Sequence, residues 1–132
     1  MTLTTAQIEE LKERATAVMA HAYAPYSGFR VGAAVLLRDG RVFTGANVEN
    51  ASYGLTICAE RNAIFTAVAA EGTLNIRAIA VTNAAGVACS PCGACRQVIF
   101  EFGPDALVIF QGSKGIESAR ASELLPAGFT LL

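Results

Sequence analysis

Apolar residues near the N-terminus recur every three to four positions. Ile8, Leu11, Ala15, Val18, Met19 and Ala22 share one side, with Glu9, Glu10, Lys12, Glu13 and Arg14 set against them. That spacing predicts an amphipathic helix whose apolar stripe covers a sheet. Thr4 and Gln7 make a capping box at its start, Leu3 can staple against Ile8, and the helix must end before Pro25. Val31 to Leu37 is a continuous β-prone run, and Asp39-Gly40 turns it back into Val42 to Ala46. A helical pattern returns from Thr56 to about Ala70, through Ile57, Arg61, Ile64, Phe65, Val68 and Ala69, and Gly72 closes it. Ile76 to Thr82 reads as a buried strand. Gly93 to Phe102 reads as a helix, through Val98, Ile99 and Phe102, stopped by Gly103-Pro104. Ala106 to Phe110 is another apolar strand. Gly112 to Ser122 fits a turn and a weak edge strand, ahead of Leu124-Leu125-Pro126. The order α-β-β-α-β-α-β, with or without a last strand, implies an α/β fold: three layers, α/β/α, around a mixed, mostly five-stranded sheet.

Length makes this one domain, residues 1–132. Hydrophobic residues are 53% and charged residues 16%, the latter against a usual figure of about 25%. So much apolar character predicts that subunit interfaces hide part of the surface. The net charge is −1 with no run of Lys and Arg, which excludes a grip on a nucleic-acid polymer. No stretch reaches the ~18 apolar residues of a membrane span. Charged residues stand where a signal peptide would carry its apolar core, so the expected location is cytoplasmic. There Cys58, Cys89, Cys92 and Cys95 stay reduced, and their use turns to metal or catalysis. His21, the one histidine, is expected to do no more than end its helix.

Cys92-x-x-Cys95 follows Pro91 at the start of one predicted helix, and Cys58 lies at the start of another. Two sulfurs one helical turn apart can face one ion, and a third from a separate element leaves one tetrahedral vertex open. Three protein ligands with an open position is the pattern of catalytic zinc, whereas structural zinc is closed by four. Both helix starts favour thiolates through their partial positive charge. Glu60, two residues after Cys58, can take a proton from a water held at that vertex. Three thiolates leave Zn²⁺ with a formal charge of −1, and Arg61 can offset it by donating to the sulfurs. Cys89 extends the run to C-x-x-C-x-x-C and raises two other arrangements. An iron–sulfur cluster has the wrong spacing, with Cys58 far upstream. A closed four-sulfur zinc site leaves Glu60 without a task. Cys89 is therefore expected to be a small buried thiol at the end of a strand.

At Cys58-Ala59-Glu60 and Pro91-Cys92-Gly93-Ala94-Cys95 the chain resembles the zinc-dependent cytidine deaminases, in particular the small homotetrameric class acting on free nucleosides. Tyr23-Ala24-Pro25-Tyr26-Ser27-Gly28-Phe29 and Asn47-Val48-Glu49-Asn50 support the likeness, which runs from the first helix to Leu125-Pro126. Zinc deaminases carry a Pro-Cys-x-x-Cys signature preceded by His or Cys, and Cys58 fills that earlier position here. The resemblance implies a cytidine deaminase-like fold and one zinc ion per subunit on Cys58, Cys92 and Cys95, with Glu60 as proton shuttle. It implies that activated water attacks C4 of cytidine or deoxycytidine while Glu60 protonates N3. Ammonia leaves, and uridine or deoxyuridine is released for pyrimidine salvage.

Asn47 and Glu49 stand two apart at a strand end, so both point to one face. An amide beside a carboxylate suits a sugar hydroxyl, the family uses these positions for the ribose, and the carboxylate repels a nucleotide. Phe29 is either the aromatic wall against the base or a core Phe. The resemblance further implies that the Ala59 backbone and the Pro91 carbonyl meet the base. Tyr53 and Phe129 align with residues that complete a neighbouring subunit's pocket in a homotetramer. Two other functions stay open: deamination of another aminopyrimidine nucleoside such as blasticidin S, and a structural zinc or redox module with four sulfur ligands and no turnover.

Overall fold

A computed structural model describes residues 2–131. The first helix, α1 (Thr5–Val18), opens on Thr4, whose Oγ1 accepts from the Gln7 amide at 3.1 Å while Gln7 Oε1 accepts from the Thr4 amide at 2.9 Å. That reciprocal pair is the capping box the sequence carries. A short 3₁₀ turn, Met19–His21, finishes the segment, and His21 is exposed there. Strands β1 (Val31–Leu37) and β2 (Val42–Ala46) form a hairpin. Asp39 Oδ1 accepts from the Arg41 amide at 3.0 Å, so the Asp of the turn fixes its backbone. There follow α2 (Ala59–Glu71), β3 (Ile76–Asn83), α3 (Gly93–Phe102), β4 (Leu107–Gly112), β5 (Gly115–Arg120) and the one-turn α4 (Ala121–Leu124).

The sheet runs β2-β1-β3-β4-β5. Only β3 and β4 are parallel, and α3 makes their crossover; the other pairs are antiparallel. Helix α1 covers one face, over Ala34, Leu36, Ala78, Ala80 and Ile109. Helices α2 and α3 cover the other, over Ala33, Val35, Ile79, Val81, Val108 and Phe110. The three-layer α/β/α arrangement with a mixed five-stranded sheet is the one expected. Strands covered on both faces read as unbroken apolar runs, and β1 is buried from Gly32 through Leu37.

Two glycines set the layer spacing. A Cβ on Gly32 would lie 1.9 Å from the Ala15 carbonyl oxygen of α1, and one on Gly45 would lie 2.3 Å from the Ala63 nitrogen of α2. Each helix backbone therefore rests directly on a strand backbone, on opposite faces of the hairpin.

The structure moves two boundaries. Helix α2 starts at Ala59, three residues later than the apolar pattern suggests. Ile57, counted into that pattern, instead exchanges backbone hydrogen bonds with Val48 at 2.9 and 3.0 Å. The ambiguous 112–122 segment resolves into β5, paired with β4 from Leu107–Arg120 to Gly112–Gly115, and the first residues of α4. Its exposed Glu117, Ser118 and Arg120 explain why no apolar signal marked it. Among the described residues no helix is long and apolar enough to cross a membrane.

Candidate active site

Cys58 is the N-cap of α2 and Cys92 the N-cap of α3, both with extended backbone. Cys95 lies in the first turn of α3 and is fully buried. The fold thus brings two helix starts to one corner, each capped by a thiol where an oxygen-bearing side chain would ordinarily sit. The Sγ atoms of Cys58 and Cys92 are 3.8 Å apart, and all three sulfurs lie within 4.8 Å of one another. Neither cap thiol makes a side-chain hydrogen bond to its helix, and the partial positive charge of both helix starts lies at this corner.

Cys58 ionises more readily than Cys95. Hydrogen bonding from Cys95, then Arg61 and Cys92, brings it down to about 5 against the opposing effect of burial. Cys95 is pushed up, as donor to Cys58 and by its own burial. Arg61 Nη2 donates to Cys58 Sγ at 3.5 Å, and the sulfurs hold its guanidinium in the charged form. Its Nε is buried and finds no partner among the described residues. A half-buried guanidinium whose buried Nε has unspent donor capacity suits a cluster that becomes fully anionic. Three converging thiols match the donor set of zinc. Cys58, Cys92 and Cys95 therefore fit one Zn²⁺ per subunit.

Glu60 completes the corner. It occupies the first turn of α2 and is only 5% exposed. Burial raises its pKa, its own backbone amide partly counteracts this, and the adjacent Cys58 charge raises it further. Cys89 stands apart. It is half-buried, its amide donates to the Gln111 carbonyl at the end of β4, and burial raises its thiol pKa. It is not among the three clustered sulfurs, so the expected exclusion from the ligand set agrees with the geometry, though the thiol is less buried than expected.

The remaining sequence-derived residues surround a loop. Asn47, 8% exposed, accepts from the Val31 amide at 2.9 Å through Oδ1 and donates Nδ2 to the Phe29 carbonyl at 2.8 Å. Glu49 Oε1 accepts from the Tyr26 and Ser27 amides at 3.0 and 3.1 Å, and Oε2 accepts from the Ser27 hydroxyl. The Ser27 hydroxyl bond, foremost, holds the Glu49 carboxyl below its usual range. Both residues thus brace the loop that presents half-buried Phe29. Ala59 is fully buried as the first residue of α2. Tyr53 is 78% exposed, with its ring edge-on to Tyr26 at 6.5 Å, and Phe129 is 65% exposed. Leu132, the last of the apolar C-terminal residues, lies outside the described residues.

Two supporting side chains have no role assigned from the sequence. Ser27 fastens Glu49, and Arg96 donates to the Pro91 carbonyl at 2.7 Å. The only available signal for Arg96 was its place directly after Cys95.

A three-layer sheet fold whose helix starts converge on three thiols and a buried carboxylate defines a zinc-dependent hydrolytic class. The sequence profile of the cytidine and deoxycytidylate deaminase zinc-binding region matches residues 5–111. A cytidine deaminase of Halalkalibacterium halodurans is 51% identical over 111 residues, covering 83% of each chain. One from Mycobacterium tuberculosis is 46% identical over 121 residues, covering 92% of this chain and 88% of that one. The crystal structure of cytidine deaminase from Burkholderia pseudomallei superposes with a TM-score of 0.85 at 46% identity, covering 96% of this chain and 100% of that one. The chain belongs to the cytidine and deoxycytidylate deaminase family.

Proposed function

We propose that this chain, acting as one deaminase domain, hydrolyses the C4–N4 bond of cytidine and deoxycytidine, giving uridine or deoxyuridine and ammonia. The observation that carries this is the buried Glu60 beside three sulfurs within 4.8 Å of one another, with Arg61 donating to one of them. Cys58, Cys92 and Cys95 hold zinc, which when bound supplies a Lewis acid able to bring the pKa of water down to about 7.

Glu60 moves the protons. It takes one from water and delivers it to N3 of the pyrimidine as the water oxygen bonds to C4. It then takes the proton of the new C4 hydroxyl and hands it to the amino nitrogen, which departs as ammonia with the C4–N4 bonding pair. Glu60 ends as it began, so the sum is nucleoside plus water giving product plus ammonia. Arg61 keeps the sulfur cluster from becoming too electron-rich to serve.

Phe29 lies against the base, and the uncapped amide of Ala59 donates to it. Glu49 has acceptor capacity left on Oε2 beyond the Ser27 bond, and Asn47 keeps one amide hydrogen and one lone pair; these go to the ribose hydroxyls. A carboxylate there turns away a phosphorylated sugar. Exposed Tyr53 and Phe129 complete neighbouring pockets in a homotetramer. The reaction serves pyrimidine salvage in the cytoplasm.

The deciding experiment incubates purified protein of known zinc content with cytidine and with deoxycytidine, following product by chromatography and ammonia by a coupled assay. Equimolar uridine and ammonia are expected. Zinc-replete protein that leaves both nucleosides intact would overturn the reading.

A further inference from the structure

Arg96 spends its three kinds of nitrogen on three separate acceptors. Nε donates to the Pro91 carbonyl at 2.7 Å, Nη2 to the Ser90 hydroxyl at 3.0 Å and Nη1 to the Leu124 carbonyl at 3.1 Å. Among the described residues it pairs with no carboxylate; the acceptors are all neutral. A half-buried guanidinium without a counter-ion is an expensive way to tie down a chain end. Its acceptors suggest a more local task.

Pro91 precedes Cys92 directly. Its ring fixes φ, and the Pro91–Cys92 peptide is planar. Pro91 ψ is therefore the only soft torsion left between the Pro91 ring and the Cys92 amide. The Pro91 carbonyl oxygen swings with that torsion, and Arg96 Nε holds that oxygen. Arg96 reaches it from the first turns of α3, to which Cys92 is the cap, and its own amide bonds the Cys92 carbonyl at 2.9 Å. The corner is thereby closed on both sides of the thiol.

The same fork holds the C-terminal segment. Besides the Leu124 contact, α4 is fastened by the Ala121 and Ser122 amides to the Ala106 and Pro104 carbonyls, each at 2.9 Å. Gln97 Nε2 adds a bond to the Phe129 carbonyl at 2.9 Å. We propose that Arg96 is the positioning residue of the metal corner: through the Pro91 carbonyl it sets Cys92 for zinc, and through Leu124 it makes α4 a support of that setting. This rests on Cys92 being a zinc ligand, as read above.

The test measures zinc affinity by competition with a chromophoric chelator, in folded protein and without substrate. Partners that orient metal ligands typically contribute 10- to 100-fold in affinity. Arg96→Gln is expected to weaken zinc binding about tenfold or more and to raise KM for cytidine in zinc-saturated enzyme. Arg96→Lys keeps the charge but loses the fork, and is expected to fall well short of the parent. Gln97→Ala, which releases only the Phe129 carbonyl, leaves zinc affinity unchanged. Folded Arg96→Gln with parental zinc affinity and a lowered Tm would make Arg96 a plain structural tie and overturn the proposal. Full rescue by Arg96→Lys would overturn it too, since charge alone would then suffice; that variant decides the matter if Arg96→Gln does not fold. Failure of the parent protein to bind zinc would instead overturn the ligand reading beneath it.

Discussion

Glu60 is a carboxylate that the fold keeps out of water yet sets beside three sulfurs and a guanidinium. Glu60→Gln preserves its shape and removes its ability to carry a proton. The variant is expected to keep about one zinc per chain and to lose roughly 10²- to 10⁴-fold in kcat. Metal analysis beside steady-state kinetics checks this, and undiminished turnover would contradict the proton-carrier role. At this scale the sequence speaks clearly where chemistry is local. Cys92 and Cys95 announce themselves by spacing, and Cys58 and Glu60 by sharing a predicted helix start. It assigns no role to Ser27 or Arg96, because a hydroxyl or guanidinium aimed at backbone and carboxylate partners has no pattern of its own. Asn47 shows the middle case. Its strand-end position was legible, but its bonds to Phe29 and Val31 depend on a loop whose path the residues alone do not define.

The elements that hold the site were legible wherever burial left a continuous apolar run, as in β1, β3 and β4. They were blurred where it did not. The start of α2 was misplaced because Ile57 satisfies a helical period and a strand bridge equally well, and only the bridge to Val48 separates them. The edge strand β5 presents mostly polar residues to solvent, so its partner β4, rather than its own pattern, defines it. Close contact between backbones is likewise invisible in a periodicity. Gly45 lets α2 lie directly on β2, and α2 begins with Cys58 as its cap. Gly45→Ala forces the helix away from the strand. It is expected to cost about 1–3 kcal/mol of stability and, unlike a remote destabilising change, to weaken zinc binding as well. Denaturant unfolding read alongside metal affinity checks both, and an unaltered midpoint would show that the contact yields easily.

Across the whole molecule, the excess of apolar residues leaves several large side chains uncovered. Tyr53, Leu55, Phe65 and Phe129 stand 78%, 64%, 46% and 65% exposed on the single chain. Composition predicts association without naming a surface, since exposure is a property of the fold; the proposed homotetramer would draw on these residues. Light scattering on purified protein is expected to give the mass of four chains. If the proposed shared pocket holds, Tyr53→Ala raises KM more than it lowers kcat. A monomer that stays fully active on dilution would refute the shared pocket.

One spacing in the corner reaches beyond catalysis. Cys58 and Cys92 Sγ are 3.8 Å apart, while a disulfide needs only about 2.05 Å. With zinc removed by a chelator, nothing stands between these two thiols. Oxidised glutathione can then join them, itself reduced to two molecules of glutathione. The stripped protein is expected to lose two titratable thiols and to refuse reloading until a reductant is added, whereas the loaded protein keeps all four. The ion is thus also the protecting group of its own ligands, and handling the apoprotein in air would retire the enzyme.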